Sequence, residues 1–335
     1  MAVNANTVQT YANRVIREDL QEAYTMISPE ETPFQQAIRT ETASNTLFEW
    51  PVVQLAAPDG TNRVVEGEAS PGNDAGTLAI RLSNYTQISD KVVEVSQTSQ
   101  KVNAAADNIQ RMAKQVVLKM KEMKRDKETM LLDNVAATAA TASTARSTAG
   151  LPAFLRTNVQ FQTGGANPTL SGTTEGYPNA AATSGTTPVV FAEAQLNAVI
   201  EACWNQGGTP SLVMVNGGNK RRISQSFTGN SSKYKDTVDK RLVNSVDFYD
   251  SDFGELTVVP NRFQRTNNAT GANTSYNVFI LDPEYLAIAY LEEVSQKQLA
   301  ETGHSLRTLI WCEYGLQVDN EKAHGIVRDT TNALS

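Results

Sequence analysis

The chain has 335 residues, 40% of them hydrophobic and 19% charged, and carries a formal net charge of -7. That composition supports a sizeable core and excludes wholesale disorder, while the acidic balance argues against a general nucleic-acid binder, which would show a basic footprint. The two cysteines, Cys203 and Cys312, lie far apart and suggest no disulfide framework, so a reducing, intracellular compartment is expected. The first residues lack the apolar h-region of a secretory signal, and no run approaches the roughly 18 apolar residues of a membrane span.

In chain order, Val8, Tyr11, Ala12, Val15, Ile16, Leu20, Ala23 and Ile27 form a stripe at the helical period. Ser28-Pro29-Glu30-Glu31 and Thr32-Pro33-Phe34-Gln35 then both read as helix starts, with a hydroxyl at the cap and proline at the first position. Residues 1–45 are therefore an arm of helical pieces with little core of its own, which must lie on something.

Residues 46–57 (TLFEWPVVQLAA) and 77–95 (TLAIRLSNYTQISDKVVEV) are β-rich, and Leu78, Ile80 and Leu82 alternate with Ala79, Arg81 and Ser83. The Gly- and Pro-rich stretch between them makes the pair a long hairpin with a mobile tip. A lone hairpin is marginally stable in water, so this one needs another surface, either its own domain or a neighbour. Its tip, residues 58–76, holds Asp59, Glu66, Glu68 and Asp74 against Arg63.

Residues 103–135 read as one long helix, with apolar positions at Ile109, Met112, Ala113, Val116, Val117, Met120, Met123, Met130 and Leu131. Asn103 can cap its start, and Asp107 suits the positive end of the helix dipole. From residue 107 to 135 it would measure about 43 Å, enough to cross a compact chain of this length, whose radius of gyration is roughly 20 Å. Its basic residues, including Lys121, Lys124 and Arg125, form either a solvated face with pairs such as Arg125 with Glu128, or a receiver for an acidic partner. The acidic hairpin tip of a neighbour would gain orientation from resting there.

Residues 136–188 are rich in Ala, Thr, Ser and Gly and read as surface loops. A compact unit follows, with a helix through Phe191, Leu196, Val199, Ile200 and Cys203, a buried strand at residues 212–215, and a short helix through residues 220–227. Strands are expected at residues 242–249, 255–259 and 276–281. The chain closes with long strands at residues 286–294 and 307–319. In the second, Ile310, Cys312, Tyr314, Leu316 and Val318 share one face.

No catalytic constellation emerges. Asn216-Gly217-Gly218-Asn219-Lys220 follows a strand and opens a helix, but lacks phosphate-loop and dinucleotide spacings, so turn and helix start is the better reading. Asp252-Phe253-Gly254 stands without the other kinase motifs and reads as a hairpin turn. His304, His324, Cys203 and Cys312 have no metal-ligand spacing, and no cofactor or metal is expected.

The order of parts (arm, extended hairpin, long spine helix, compact mixed unit, closing strands) resembles the HK-97-like fold of tailed-bacteriophage major capsid proteins. Closer similarity to one capsid subfamily lies in ISPEETPFQQAI (27–38), NYTQISDKVVEVS (84–96), MKEMKRDKETMLL (120–132), GLPAFLRTN (150–158), VVPNRF (258–263), FILDPEYLAIAYL (279–291) and CEYGLQVDNEKAHGIVRD (312–329). The resemblance implies an α+β chain with an arm at 1–45, an extended hairpin (E-loop) at 46–95, a peripheral domain at 96–150 and 286–335, and a mixed α/β axial domain at 151–285. It implies hexamers and pentamers closing into an icosahedral shell around double-stranded DNA, with arm and hairpin lying on adjacent subunits. Inter-subunit contacts are then expected from Tyr11, Ile16 and Phe34 of the arm. Asp59, Arg63, Glu66, Glu68 and Asp74 of the tip would meet Lys121, Lys124 and Arg125 of the helix.

The implied partners are a portal, a separate scaffolding protein (the arm being too short to serve), possible decoration proteins and DNA held without sequence specificity, assembled in the host cytoplasm. The founding member of the fold cross-links a hairpin lysine to a neighbour's asparagine; here no lysine precedes Lys91, so no such link is expected. Two alternatives remain open: an encapsulin-type compartment sharing the fold, and an enzyme binding a phosphate ligand at the Gly217-Gly218 turn.

Overall fold

The computed structural model describes residues 28–67, 76–102, 111–227, 234–236, 241–243, 246–264, 275–301 and 303–331. The helical stripe expected at residues 8–27 and the expected helix start at Asn103 and Asp107 lie outside the described residues.

In chain order the elements are α1 (Pro33–Ala37), β1 (Arg39–Thr42), β2 (Leu47–Val52), β3 (Ile80–Tyr85), β4 (Gln87–Ser96), α2 (Gln97–Lys101) and α3 (Arg111–Leu132). Next come β5 (Val159–Gln160), β6 (Thr169–Leu170), β7 (Pro178–Ala180), β8 (Val189–Val190), α4 (Glu193–Asn205), β9 (Leu212–Val215) and α5 (Gly217–Ser226). The last are β10 (Tyr234–Asp236), β11 (Arg241–Val243), β12 (Phe248–Ser251), β13 (Gly254–Pro260), β14 (Tyr276–Leu281), β15 (Leu286–Gln298), β16 (Ser305–Val318) and β17 (Gly325–Thr331).

Two sheets organise the molecule. The first has the order β1-β15-β16-β4, and α3 lies against β4 and β16. The alternation read in β16 is realised: Ile310, Cys312, Tyr314, Leu316 and Val318 are all buried, each large apolar side chain contributing about 1.5–3 kcal/mol. Met123 of α3 meets this face, its sulfur 3.5 Å from that of Cys312. The second sheet runs β12-β13-β9-β14-β17-β5, with β8 also on β17. Val213, Val215, Val278, Ile280 and Val327 pack beneath α4 and α5. Leu212, Met214, Phe279, Leu281 and Ile326 face the other way, into the core shared with α3 and the first sheet. A strand buried on both faces reads as a continuous apolar run, which is why LVMV lacked alternation.

The β14–β15 and β16–β17 connections between the sheets run side by side. Asp319 N donates to Tyr285 O at 3.0 Å, and Asp282 N donates to His324 Nδ1 at 3.2 Å.

Four sequence expectations need correction. The hairpin's return segment is two strands: β3 pairs with β2, while β4 leaves at Thr86 and joins β16. The long helix ends at Leu132, and a separate short helix, α2, is capped by the Ser96 hydroxyl accepting from Ser99 N. The strand expected at residues 242–249 is broken into β11 and β12. Finally, β17, grouped in sequence with the closing strands, sits inside the second sheet between β14 and β5. Its two central charges are buried there: Arg328 donates to Pro152 O and Leu155 O, and Asp329 accepts from Gly185 N at 2.7 Å.

Candidate assembly surface

The hairpin base is held by its own chain. Phe48 and Trp50 are buried and stack at 5.6 Å, and Trp50 Nε1 donates to Val318 O at 2.9 Å. Beyond Val52 the picture reverses. Val53, Leu55, Val64, Val65 and Leu78 are all more than half exposed, Leu55 at 82% and Leu78 at 84%. So much apolar surface on one protruding segment is unusual for a chain that works alone. Asp59, Arg63 and Glu66 are exposed on the same segment. Asp59 Oδ1 accepts from Thr61 N at 2.8 Å and Thr61 Oγ1 at 2.6 Å, and these hydrogen bonds hold its carboxyl below the ordinary range. Glu68 and Asp74, like Tyr11 and Ile16, lie outside the described residues. No hydrogen bond or ion pair among the described residues joins the tip to Lys121, Lys124 or Arg125 of the same chain.

The arm behaves differently over its described part. Phe34 is fully buried within its own chain, which corrects its expected place on an inter-subunit surface. It belongs to α1, whose first N–H groups are capped from outside: Glu128 of α3 accepts from Phe34 N at 2.8 Å, Gln35 N at 3.1 Å and Gln35 Nε2 at 3.0 Å. Asn261 Nδ2 donates to the same carboxylate at 2.7 Å. Glu128 therefore turns inward rather than pairing with Arg125, whose guanidinium stands 5.4 Å from the Phe263 ring centroid. Lys121 pairs with Glu30 at 2.9 Å, and the Lys124 carbonyl accepts from Gln35 Nε2. Also within the arm, β1 adds in parallel to β15.

Lys127 was missed as well. It is 7% exposed, donates to the Tyr290 hydroxyl, and stands 4.8 Å from the Tyr290 ring centroid. The spacing Met123, Lys127, Leu131 was the available signal, since two four-residue steps put all three on one face.

Of the candidate chemical groups, His324, Cys203 and Cys312 are locked into the fold, while His304 is exposed. His324 is fully buried, accepts a backbone N–H and is pushed down to about 4 by desolvation. Burial pushes the Cys203 thiol up to about 12 and raises Cys312. At the Gly217-Gly218 turn, the Asn216 side chain accepts from Asn219 N at 3.0 Å and so caps α5 itself. Among the described residues no group of three or more His, Cys, Asp or Glu is placed to hold a metal ion, and no helix is long and apolar enough to cross a membrane.

An unshielded finger on a self-contained body is the shape of a subunit made for a lattice, and comparison with known proteins agrees. A profile of the SU10 major capsid protein family matches residues 3–331. The chain belongs to that family. The major capsid protein of Escherichia phage Phieco32 is 37% identical to this capsid protein over 113 residues, which are 34% of this chain and 32% of that protein. The match thus spans about a third of that curated relative's length. Among solved structures, the capsid of a native GTA particle superposes with a TM-score of 0.62 at 11% identity, covering 98% of this chain and 100% of the other. Mycobacterium phage Cain gives 0.61 at 11%, covering 96% and 98%. The holo-SrpI encapsulin complex of Synechococcus elongatus PCC 7942 gives 0.58 at 10%, covering 98% of each. At such identities these likenesses show the fold alone, which is the α+β, HK-97-like capsid fold.

Proposed function

We propose that this capsid protein is the repeating subunit of a phage head, forming hexamers and pentamers that close an icosahedral shell around double-stranded DNA. The observation carrying this reading is the hairpin beyond Val52, where Val53, Leu55, Val64, Val65 and Leu78 are each more than half exposed. Burying them against another copy removes that area from water at about 25 cal/mol per Å2, repeated at every lattice position. The described part of the arm contributes no such argument, because α1 and β1 are already docked.

Portal, separate scaffolding protein and decoration proteins belong to the same proposal, as do assembly in the host cytoplasm and DNA retained without sequence-specific contacts. The role is structural rather than enzymatic. With no lysine before Lys91, the shell is held without a hairpin-lysine cross-link. We further propose an axial domain that includes β17 and a peripheral domain made of α3 and the first sheet.

Negative-stain microscopy of the expressed full chain tests the reading. Closed particles are expected, and a variant lacking residues 58–76 should stay folded yet fail to form them. A stable single copy at high concentration, or normal particles from the deletion variant, would overturn it.

A further inference from the structure

Between α3, the arm and strands β15 and β16 lies a half-open cavity of about 430 Å3, walled by Met120, Met123, Ile288, Val294 and Cys312, with Lys127 facing into it. Lys127 is an expensive wall. An ammonium has three donors, yet the described residues supply the Tyr290 hydroxyl and the ring faces of Tyr290 and Tyr314, the latter centroid at 5.7 Å. No carboxylate among the described residues lies within ion-pair distance. Glu128, the next residue, commits both oxygens to Phe34, Gln35 and Asn261. A buried cation without a counter-ion is costly, and burial pushes the Lys127 ammonium down accordingly.

The same chain carries the complementary piece. Glu66 follows Val64 and Val65, which are 59% and 74% exposed, and is itself exposed. Among the described tip residues the other carboxylate, Asp59, is already engaged by Thr61. One apolar, acidic plug and one apolar, cationic socket thus occur on each copy.

We propose that the cavity beside Lys127 seats the Val64-Val65-Glu66 segment of a second copy, with the Glu66 carboxylate supplying the counter-ion that Lys127 lacks. The proposal deepens the shell reading and rests on it. The contact is heterologous, plug of one copy into socket of the next, so it propagates from subunit to subunit and closes only when the geometry completes a ring or shell.

Two experiments on assembled full-length particles test it. In the first, Glu66→Cys is combined with Lys124→Cys, an exposed residue at the cavity rim, and particles are treated with a short bis-maleimide. Covalent multimers should appear on a denaturing gel above the level of either single-cysteine variant, and should vanish in dissociated subunits. The second is a cycle of conservative variants, Glu66→Gln and Lys127→Met, read as the rate of particle dissociation in denaturant. Each single variant should speed dissociation about tenfold, and the double variant no more than either, because both remove one interaction. Particles that form normally without cross-linking, or a double variant near a hundredfold, would overturn the seat and leave the shell reading standing. An effect of Lys127→Met with none of Glu66→Gln would give the cavity to another carboxylate and equally overturn it. Wild-type chains that make no particles would remove the shell reading and the seat together.

Discussion

Glu128 and Phe34 lie 94 positions apart, yet the carboxylate of one accepts the backbone N–H of the other at 2.8 Å in a fully buried setting. Three further donors converge on the same two oxygens, from Gln35 and Asn261. One side chain of the spine helix thereby ties down the arm and the loop after β13.

Glu128→Ala leaves buried donors with no acceptor, at about 1–3 kcal/mol each. We expect the unassembled subunit to lose about 3–5 kcal/mol in urea unfolding, with the arm becoming the first site of proteolysis. An unchanged unfolding midpoint would show that the knot is dispensable.

At Gly315 the backbone passes beneath the hairpin base, where an added Cβ would stand 2.5 Å from the Phe48 ring and 3.1 Å from Tyr85 O. Gly315→Ala should therefore push Phe48 off its seat, costing about 1–3 kcal/mol. Because Phe48 stacks on Trp50, tryptophan fluorescence reports the shift. Unaltered emission together with unaltered stability would contradict the close contact.

Leu316 is fully buried on the inner face of β16. Leu316→Asp places an uncompensated charge there and should destabilise the subunit on the order of 3–5 kcal/mol. A melting temperature matching the wild type would refute the face assignment.

His324 supplies a pH dependence. Desolvation holds the buried imidazole at about 4 against its ordinary 6.5. On acidification the unfolded chain takes up a proton here below about pH 6.5, the folded chain only below about 4. Stability from the neutral ring is full above 6.5 and is lost across that window, amounting to roughly 3 kcal/mol. His324→Asn keeps an acceptor for Asp282 N, and its stability should fall less steeply between pH 6.5 and 4. Parallel curves for variant and wild type would contradict the assignment.

Legibility in the sequence followed the source of each element's stability. β16 and β9 were readable because burial on one face or both writes itself into alternation or a continuous apolar run. The break at Thr86 was not, since no glycine or proline punctuates residues 80–96. It is made by remote partners: Thr86 N donates to Thr46 O at 2.8 Å and its hydroxyl to Glu313 at 2.6 Å. β1 (RTET) and β17 (GIVRDTT) hide for a related reason, as each is held by a ladder to a distant strand more than by its own hydrophobicity. Lys127 and Glu128 looked like solvated charges on a helix. Only the arm's backbone and two tyrosine rings reveal them as interior residues. The exposed finger, by contrast, was legible from its Gly- and Pro-rich content between two β-rich runs, although its paired base is shorter than expected.

The place of β17 governs when this protein can finish folding. Val159 and Val189 find their ladder partners at Ile326 and Thr330, so both short strands must wait until residues 325–331 have left the ribosome. A nascent or prematurely terminated chain therefore presents an unclosed sheet.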